Sequence, residues 1–419
     1  GTNTFYIWNG VLGSNETSPS VVFGQGCWHR VTMQVTTGIG SGIVTGKGPG
    51  GFIKRVTINR CRVTNVGGDG VLLVQTSYGT ISNCYVENTL RSGYVFADVG
   101  IEKSDHCRLL DSVSINTGYS GVDVESCAHS TIRGNTFRRS GWFQNAVLPA
   151  ISDGVSLRNG ISVYGDSWNS IITENTIENP ADSGIVLIQA VESVRTTAEV
   201  YNAVNNGVIS TGFVLAPVSV IVTNNSIVNV RNFGIYANCA QNLSSDSQGW
   251  VISGNIIKYA HVGIFLGNEV FGATVSNNNI FTVERGIRLS GGRYLTITGN
   301  TIQDYNLYGI FIEYPSWITL VGNSTKMISL AGSFGRGLLC KGFAVPMFRV
   351  VITGNDFGQD GLHYPVEFYG NAGITHTSFI FTSNTSNDLS RILFNGDGGA
   401  TGIFDTSCTL IIGQYAYKT

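Results

Sequence analysis

Asp123 and Glu125 stand two residues apart in the stretch Gly121–Val122–Asp123–Val124–Glu125. Alternate side chains of an extended strand share a face, which puts both carboxyl groups on one side, Cα atoms about 6.6 Å apart at ~3.3 Å rise per residue. Two carboxyl groups so placed can cleave a glycosidic bond: one protonates the leaving oxygen, and the other attacks the sugar or activates water. The spacing fits both outcomes, so the stereochemistry stays open. Asp98 and Asp166, on the preceding and following segments, are alternative partners, with Glu102 nearby. Trp142, Phe143, Tyr164 and Trp168 add aromatic faces that suit a sugar ring. The simpler alternative is that Asp123 and Glu125 solvate an exposed strand or bond to Arg91 or Arg138.

Other groups compete for a role. Arg288 and Glu313, flanked by Phe265 and Phe311, read as a cross-strand ion pair or as a groove for an acidic sugar, and Tyr236 lies in the same outward column. Glu192, Arg195, Glu199 and Tyr201 share one insertion, and Trp28–His29–Arg30 carries a base beside a cation. No Cys or His spacing suggests zinc. The glycine runs at 46–51 and 396–399 lack the Lys-Ser/Thr of a phosphate loop. The expectation is therefore no metal and no cofactor.

What positions these residues is a repeat: Ile/Val-x-x-Asn-x-Ile, a few residues, then Gly-Ile-x-Leu. It runs through Ile252–Ile257 with Gly263–Leu266, and Asn255, Asn278, Asn300 and Asn323 follow one another at intervals of 23, 22 and 23 residues. Asn135, Asn175, Asn225, Asn355 and Asn384 extend the series, and Cys61, Cys84 and Val113 take the Asn position in earlier copies. A period of 22–23 with short alternating strands and no helical return leg predicts an all-β fold. It is a right-handed, single-stranded parallel β-helix of about 12–14 coils. At ~4.8 Å per coil the rod is on the order of 60 Å long. The Asn ladder satisfies polar groups at a bend, and the glycine permits a tight turn. In Gly-Ile-x-Leu-x, the second and fourth residues after Gly point outward to solvent. The helix is expected over 1–395, with insertions near 141–159 and 190–217 marking the working face, and 396–419 as a cap or oligomerisation segment.

Composition agrees with a solenoid. Glycine is 54 of 419 residues and charged residues are 12%, about twice and half the usual shares. Net charge is −2 without a basic run, which argues against gripping nucleic acid or an anionic membrane. The longest nearly unbroken apolar stretch, Phe213–Val222, contains a proline and is too short to cross a bilayer. The first residue is Gly, so a leading segment is expected to be missing. Cys61 and Cys84 occupy equivalent inward positions, which favours free packed thiols and folding in a reducing compartment.

The Asn-x-Ile … Gly-Ile-x-Leu coils, from about Cys61 to Asn384, resemble the pectate-lyase-like β-helix superfamily, and most of all a bacteriophage tailspike. That resemblance implies a homotrimeric virion-tail protein, assembled in the bacterial cytoplasm and joined to the baseplate or tail through the missing N-terminal segment. It also implies an endo-acting enzyme that binds and cleaves bacterial capsular or O-antigen polysaccharide, with a lyase or a non-catalytic adhesin as alternatives. The polygalacturonase signatures and the calcium-binding Asp clusters of pectate lyases are missing.

Overall fold

The computed structural model describes residues 2–8, 28–34, 41–45, 53–97, 104–142, 158–165, 167–188, 217–238, 249–267, 270–314, 316–327, 335–342, 347–359, 365–370, 377–386, 392–395, 408–412 and 415–418. All elements among them are strands. One coil shows the plan: Arg108–Leu110, a bend, Val113–Thr117, a second bend, and Val122–Glu125. Each strand pairs in parallel with its counterparts in the coils before and after it. In later coils the second and third strands merge, as in Ser226–Asn238, Ile256–Leu266 and Asn279–Ser290.

The third strand of every coil builds the wall that carries the candidate acids. Its register runs Ile43, Val71, Tyr94, Val122, Ile161, Ile185, Ile235, Ile264, Ile287, Ile310, Leu338 and Val366, and the strand Leu393–Asn395 adds a thirteenth rung. These residues point inward into one continuous apolar core with the middle residues of the other strands, such as Ile132, Ile172 and Val222. Stacking like on like aligns the rungs, and each coil buries its apolar face only against its neighbours.

The bend before the second strand is held by asparagines. From Asn135 through Asn175, Asn225, Asn255, Asn278, Asn300, Asn323 and Asn355 to Asn384, each Nδ2 donates to the next Oδ1 at 2.8–3.0 Å. The same oxygen accepts the preceding backbone N–H, as from Asn278 N to Asn300 Oδ1 at 3.0 Å. Toward the N-terminus the ladder continues differently from the expectation. Ser112, and not Val113, occupies the Asn position: Ser112 N donates to Asn135 Oδ1 at 2.9 Å, and Cys84 N to Ser112 Oγ at 3.1 Å. Cys61 and Cys84 complete the column, with Cys61 N 3.4 Å from Cys84 Sγ. Cys61, Cys84, Cys107, Cys127, Cys340 and Cys408 are all buried and form no disulfide.

Near the C-terminus, Thr409–Ile412 pairs in parallel with Thr377–Thr382 and antiparallel with Tyr415–Lys418. No described helix is long and apolar enough to span a membrane.

Candidate active site

Asp123 and Glu125 lie on one strand, paired along its length with Ile161–Tyr164 of the next coil. They face away from the core, but not into open water. The outward column is largely covered: Asp123 is 3% exposed, Ser162 0% and Val186 0%. Tyr164, Val186, Ile188 and Tyr236 form a second apolar cluster outside the wall, with Phe233 and Phe265 packed against it. Strand alternation assigned these residues to the correct face, and the solvent expected there is replaced by protein.

Burial changes the chemistry of Asp123. Ser92 Oγ donates to Asp123 Oδ2. Oδ1 is buried without a hydrogen bond of good geometry, beside a Ser120 hydroxyl engaged with Ser162 Oγ at 2.9 Å. Loss of solvent pushes the carboxyl pKa up to about 7, assisted by repulsion from Glu125 and Asp69 and opposed by the Ser92 and Ser120 hydroxyls. Glu125 is half-buried, and Tyr164 Oη donates to its Oε1. Burial, together with the Glu125 charge, keeps the Tyr164 phenol protonated well beyond its usual range. Two adjacent carboxyl groups in unequal surroundings are the arrangement that can divide the roles of acid and base.

A third acid, Asp69, went unnoticed in the sequence. It precedes the glycine that opens its strand, the position held by Ser92, Ser120 and Asn159 in the next three coils. Asp69 Oδ1 accepts from Ser92 N at 3.1 Å, and Arg91 stands 3.7 Å from Oδ2. Burial raises the Asp69 pKa against the pull of Arg91. Arg91 pairs with Asp69, and Arg138 with Glu178 at 2.7 Å. The column of pre-glycine residues was the signal that could have found Asp69 and Ser92.

The remaining candidates separate. Trp142 is 60% exposed, and its Nε1 donates to Asn179 O at 2.7 Å. Its chain continues into the insertion that returns at Arg158 and Asn159, beside the Ser120–Ser162 contact, where Asn159 Nδ2 donates to Ser162 Oγ at 3.1 Å. Trp168 lies around the next corner, where its carbonyl accepts from His129 N at 2.6 Å. Tyr236 is three rungs from Asp123 in the outward column and stacks on Phe265 at 5.1 Å. Arg288 is five rungs from Asp123, about 24 Å at ~4.8 Å per rung. It pairs with Glu313 at 2.8 Å between the rings of Phe265 and Phe311, 5.3 and 5.6 Å from their centroids. Asp98, Glu102, Phe143, Asp166 and the Glu192–Tyr201 stretch lie outside the described residues, and the side chains of Trp28–His29–Arg30 do also.

With this geometry in place, known proteins can be set beside it. Residues 97–247 match the family model described as right handed beta helix region, and residues 188–330 match that described as periplasmic copper-binding protein (NosD). A tailspike protein mutant of E. coli bacteriophage HK620, solved in complex with pentasaccharide, is similar with a TM-score of 0.50 and 13% identity over 86% of this chain. The match covers 62% of the tailspike chain. A double mutant of the periplasmic alginate epimerase AlgG is similar at 13% identity over 82% of this chain and 77% of its own, with a TM-score of 0.43. The chain is a right-handed parallel β-helix.

Proposed function

We propose that the protein is an endo-acting glycoside hydrolase that binds and shortens a bacterial surface polysaccharide, capsular or O-antigen. Asp123 is the general acid, and Glu125 is the nucleophile or the base that activates water. The observation that carries this reading is the unequal pair itself. Asp123, raised to about 7 with one oxygen lacking a good hydrogen bond, keeps a proton to give near neutrality, and Glu125 two residues on is half-exposed. Tyr164 aims Glu125 through its hydroxyl. Asp98 and Asp166 remain alternative partners, and among the aromatic candidates Trp142, at 60% exposure, is the most open to a sugar, with Trp168 at 46% next. Arg288 and Glu313 would contact an acidic sugar farther along the same wall.

The test is the size profile of candidate polysaccharides before and after incubation, with reducing ends counted. Shorter chains with new reducing ends support hydrolysis. Shorter chains with an ultraviolet-absorbing unsaturated uronate would make the enzyme a lyase instead. The coverage of Asp123 favours one second reading, a glycan-binding rod without turnover, which predicts retention on the polysaccharide with no change in its length.

We extend the proposal to assembly. The low charge content suits a homotrimer of rods carried on a virion tail outside the cell. The 1–395 segment is read as the helix domain and 396–419 as its cap or oligomerisation piece, a reading supported by the antiparallel pairing of Thr409–Ile412 with Tyr415–Lys418.

A further inference from the structure

One corner of the solenoid, that leading into the first strand of each coil, holds a cluster that the polysaccharide reading does not use. Successive coils place Tyr78, His106, His129 and Asn169 there, all with left-handed backbone at φ 59, 53, 51 and 50°. The rings stack: Tyr78 on His106 at 4.8 Å and 22°, and His106 on His129 at 4.5 Å and 20°. Asp105, next to His106, turns its carboxylate to both imidazoles. Oδ2 is 2.7 Å from His106 Nδ1, and Oδ1 is 2.8 Å from His129 Nδ1.

We propose that Asp105, His106 and His129 form a site for a divalent first-row transition ion such as Zn²⁺, bound through the two Nδ1 atoms and a carboxylate oxygen. Four observations support it. The donor atoms of the three side chains lie within 4.8 Å of one another, while bonds of ~2.0–2.2 Å place ligand atoms about 3–4 Å apart. A small rotation of His129, 41% exposed, closes the difference. His106 Nδ1 is buried and, for all its closeness to Asp105, forms no hydrogen bond of acceptable angle. The backbone around the three is fixed by ladder bonds: Asp105 N to Thr76 O at 3.0 Å, His106 N to Ala128 O at 3.0 Å and His129 N to Trp168 O at 2.6 Å. Finally, the Asn169 amide stands 3.2 Å from His129 Nε2. Turned so that its oxygen accepts, it would hold the proton on Nε2 and leave Nδ1 for the metal.

Two imidazoles and one carboxylate make the three-ligand set of open zinc sites, with the fourth position left to water or substrate. Imidazole nitrogen disfavours calcium and magnesium, which seek oxygen. The ligands come from two coils, which is why no local spacing announced them. None of the three lies in residues 188–330, so the copper-binding family match there has no bearing on them.

The test is calorimetric titration of the untagged full chain with Zn²⁺ at neutral pH, against His106→Asn, His129→Asn and Asp105→Asn. Asparagine already occupies this left-handed corner at Asn169, so the histidine replacements keep the turn; circular dichroism confirms the fold. The expected result is one ion per chain, bound at least tenfold more weakly by each single variant and not at all by the double histidine variant. Electron paramagnetic resonance with Cu²⁺ as probe should count two nitrogen ligands in the parent chain and one in His129→Asn. Equal affinity in parent and variants, or no binding by the folded parent, overturns the site and leaves the depolymerase proposal untouched.

Discussion

Replacing Asp123 with Asn should stabilise the protein, and do so only at pH values where the carboxyl group of the unfolded chain is charged. The Asp123 pKa rises from 3.8 to about 7 on folding. Below pH ~4 both folded and unfolded chains hold the proton, and the group makes no difference. Between ~4 and ~7 the unfolded chain releases the proton while the folded chain keeps it, so stability falls as pH rises, and it levels off above ~7. A shift of about three units at ~1.4 kcal/mol each amounts to roughly 4 kcal/mol. Asparagine carries no such penalty. Its side-chain oxygen can still accept from Ser92, and a mismatch at Ser120 costs about 1 kcal/mol. The variant should therefore gain roughly 3 kcal/mol over the parent at pH ~8 and nothing, or a small loss, at pH ~4. Urea unfolding at both pH values, with unfolding rates where refolding is incomplete, reads the difference. An equal effect at both pH values would refute the claim that Asp123 is buried in its neutral form.

The same carboxyl group predicts a pH profile: cleavage, if Asp123 is the acid, should decline above about pH 7 as the proton is lost, an ionisation traced by initial rates across pH. Asn278→Ala removes amide bonds to Ile252 O and Asn300 Oδ1 and an acceptor for Asn255. It should cost about 3–5 kcal/mol in urea unfolding, since buried backbone groups lose their partners. Gly286→Ala places a Cβ against Ile302 Cγ2 and 2.5 Å from Gly309 O, so it should cost about 1–3 kcal/mol or more by the same measurement. Glu313→Gln leaves Arg288 half-buried between Phe265 and Phe311 without its counter-ion. It should lose about 2–4 kcal/mol, with replacement of both partners by apolar residues recovering much of that.

The fold was legible because its constraint is periodic. Asparagines 22 or 23 residues apart can bond one above another only if each interval closes one turn, and the ladder from Asn135 to Asn384 does so. Where Asn gave way to smaller residues the register blurred, and Ser112 was passed over for its neighbour Val113 because a lone serine carries no pattern. Alternation told which residues leave the core, but not what packs above them. Hence Asp123 was expected in solvent and is buried, and Val186 and Ile188 belong to a second apolar cluster. Asp69 and Ser92 escaped notice because their role depends on the vertical neighbour, one coil away in sequence. The Asp105–His106–His129 group was hidden for the same reason.

The most direct test of the account is digestion of a panel of capsular and O-antigen polysaccharides by the parent chain and by the Asp123→Asn/Glu125→Gln double variant, read by size-exclusion profile. The parent should shorten at least one polymer, and the folded double variant should bind that polymer and leave its length unchanged. A double variant that shortens the polymer as fast as the parent would contradict the assignment of the acid pair, and a parent that binds without shortening would reduce the protein to an adhesin.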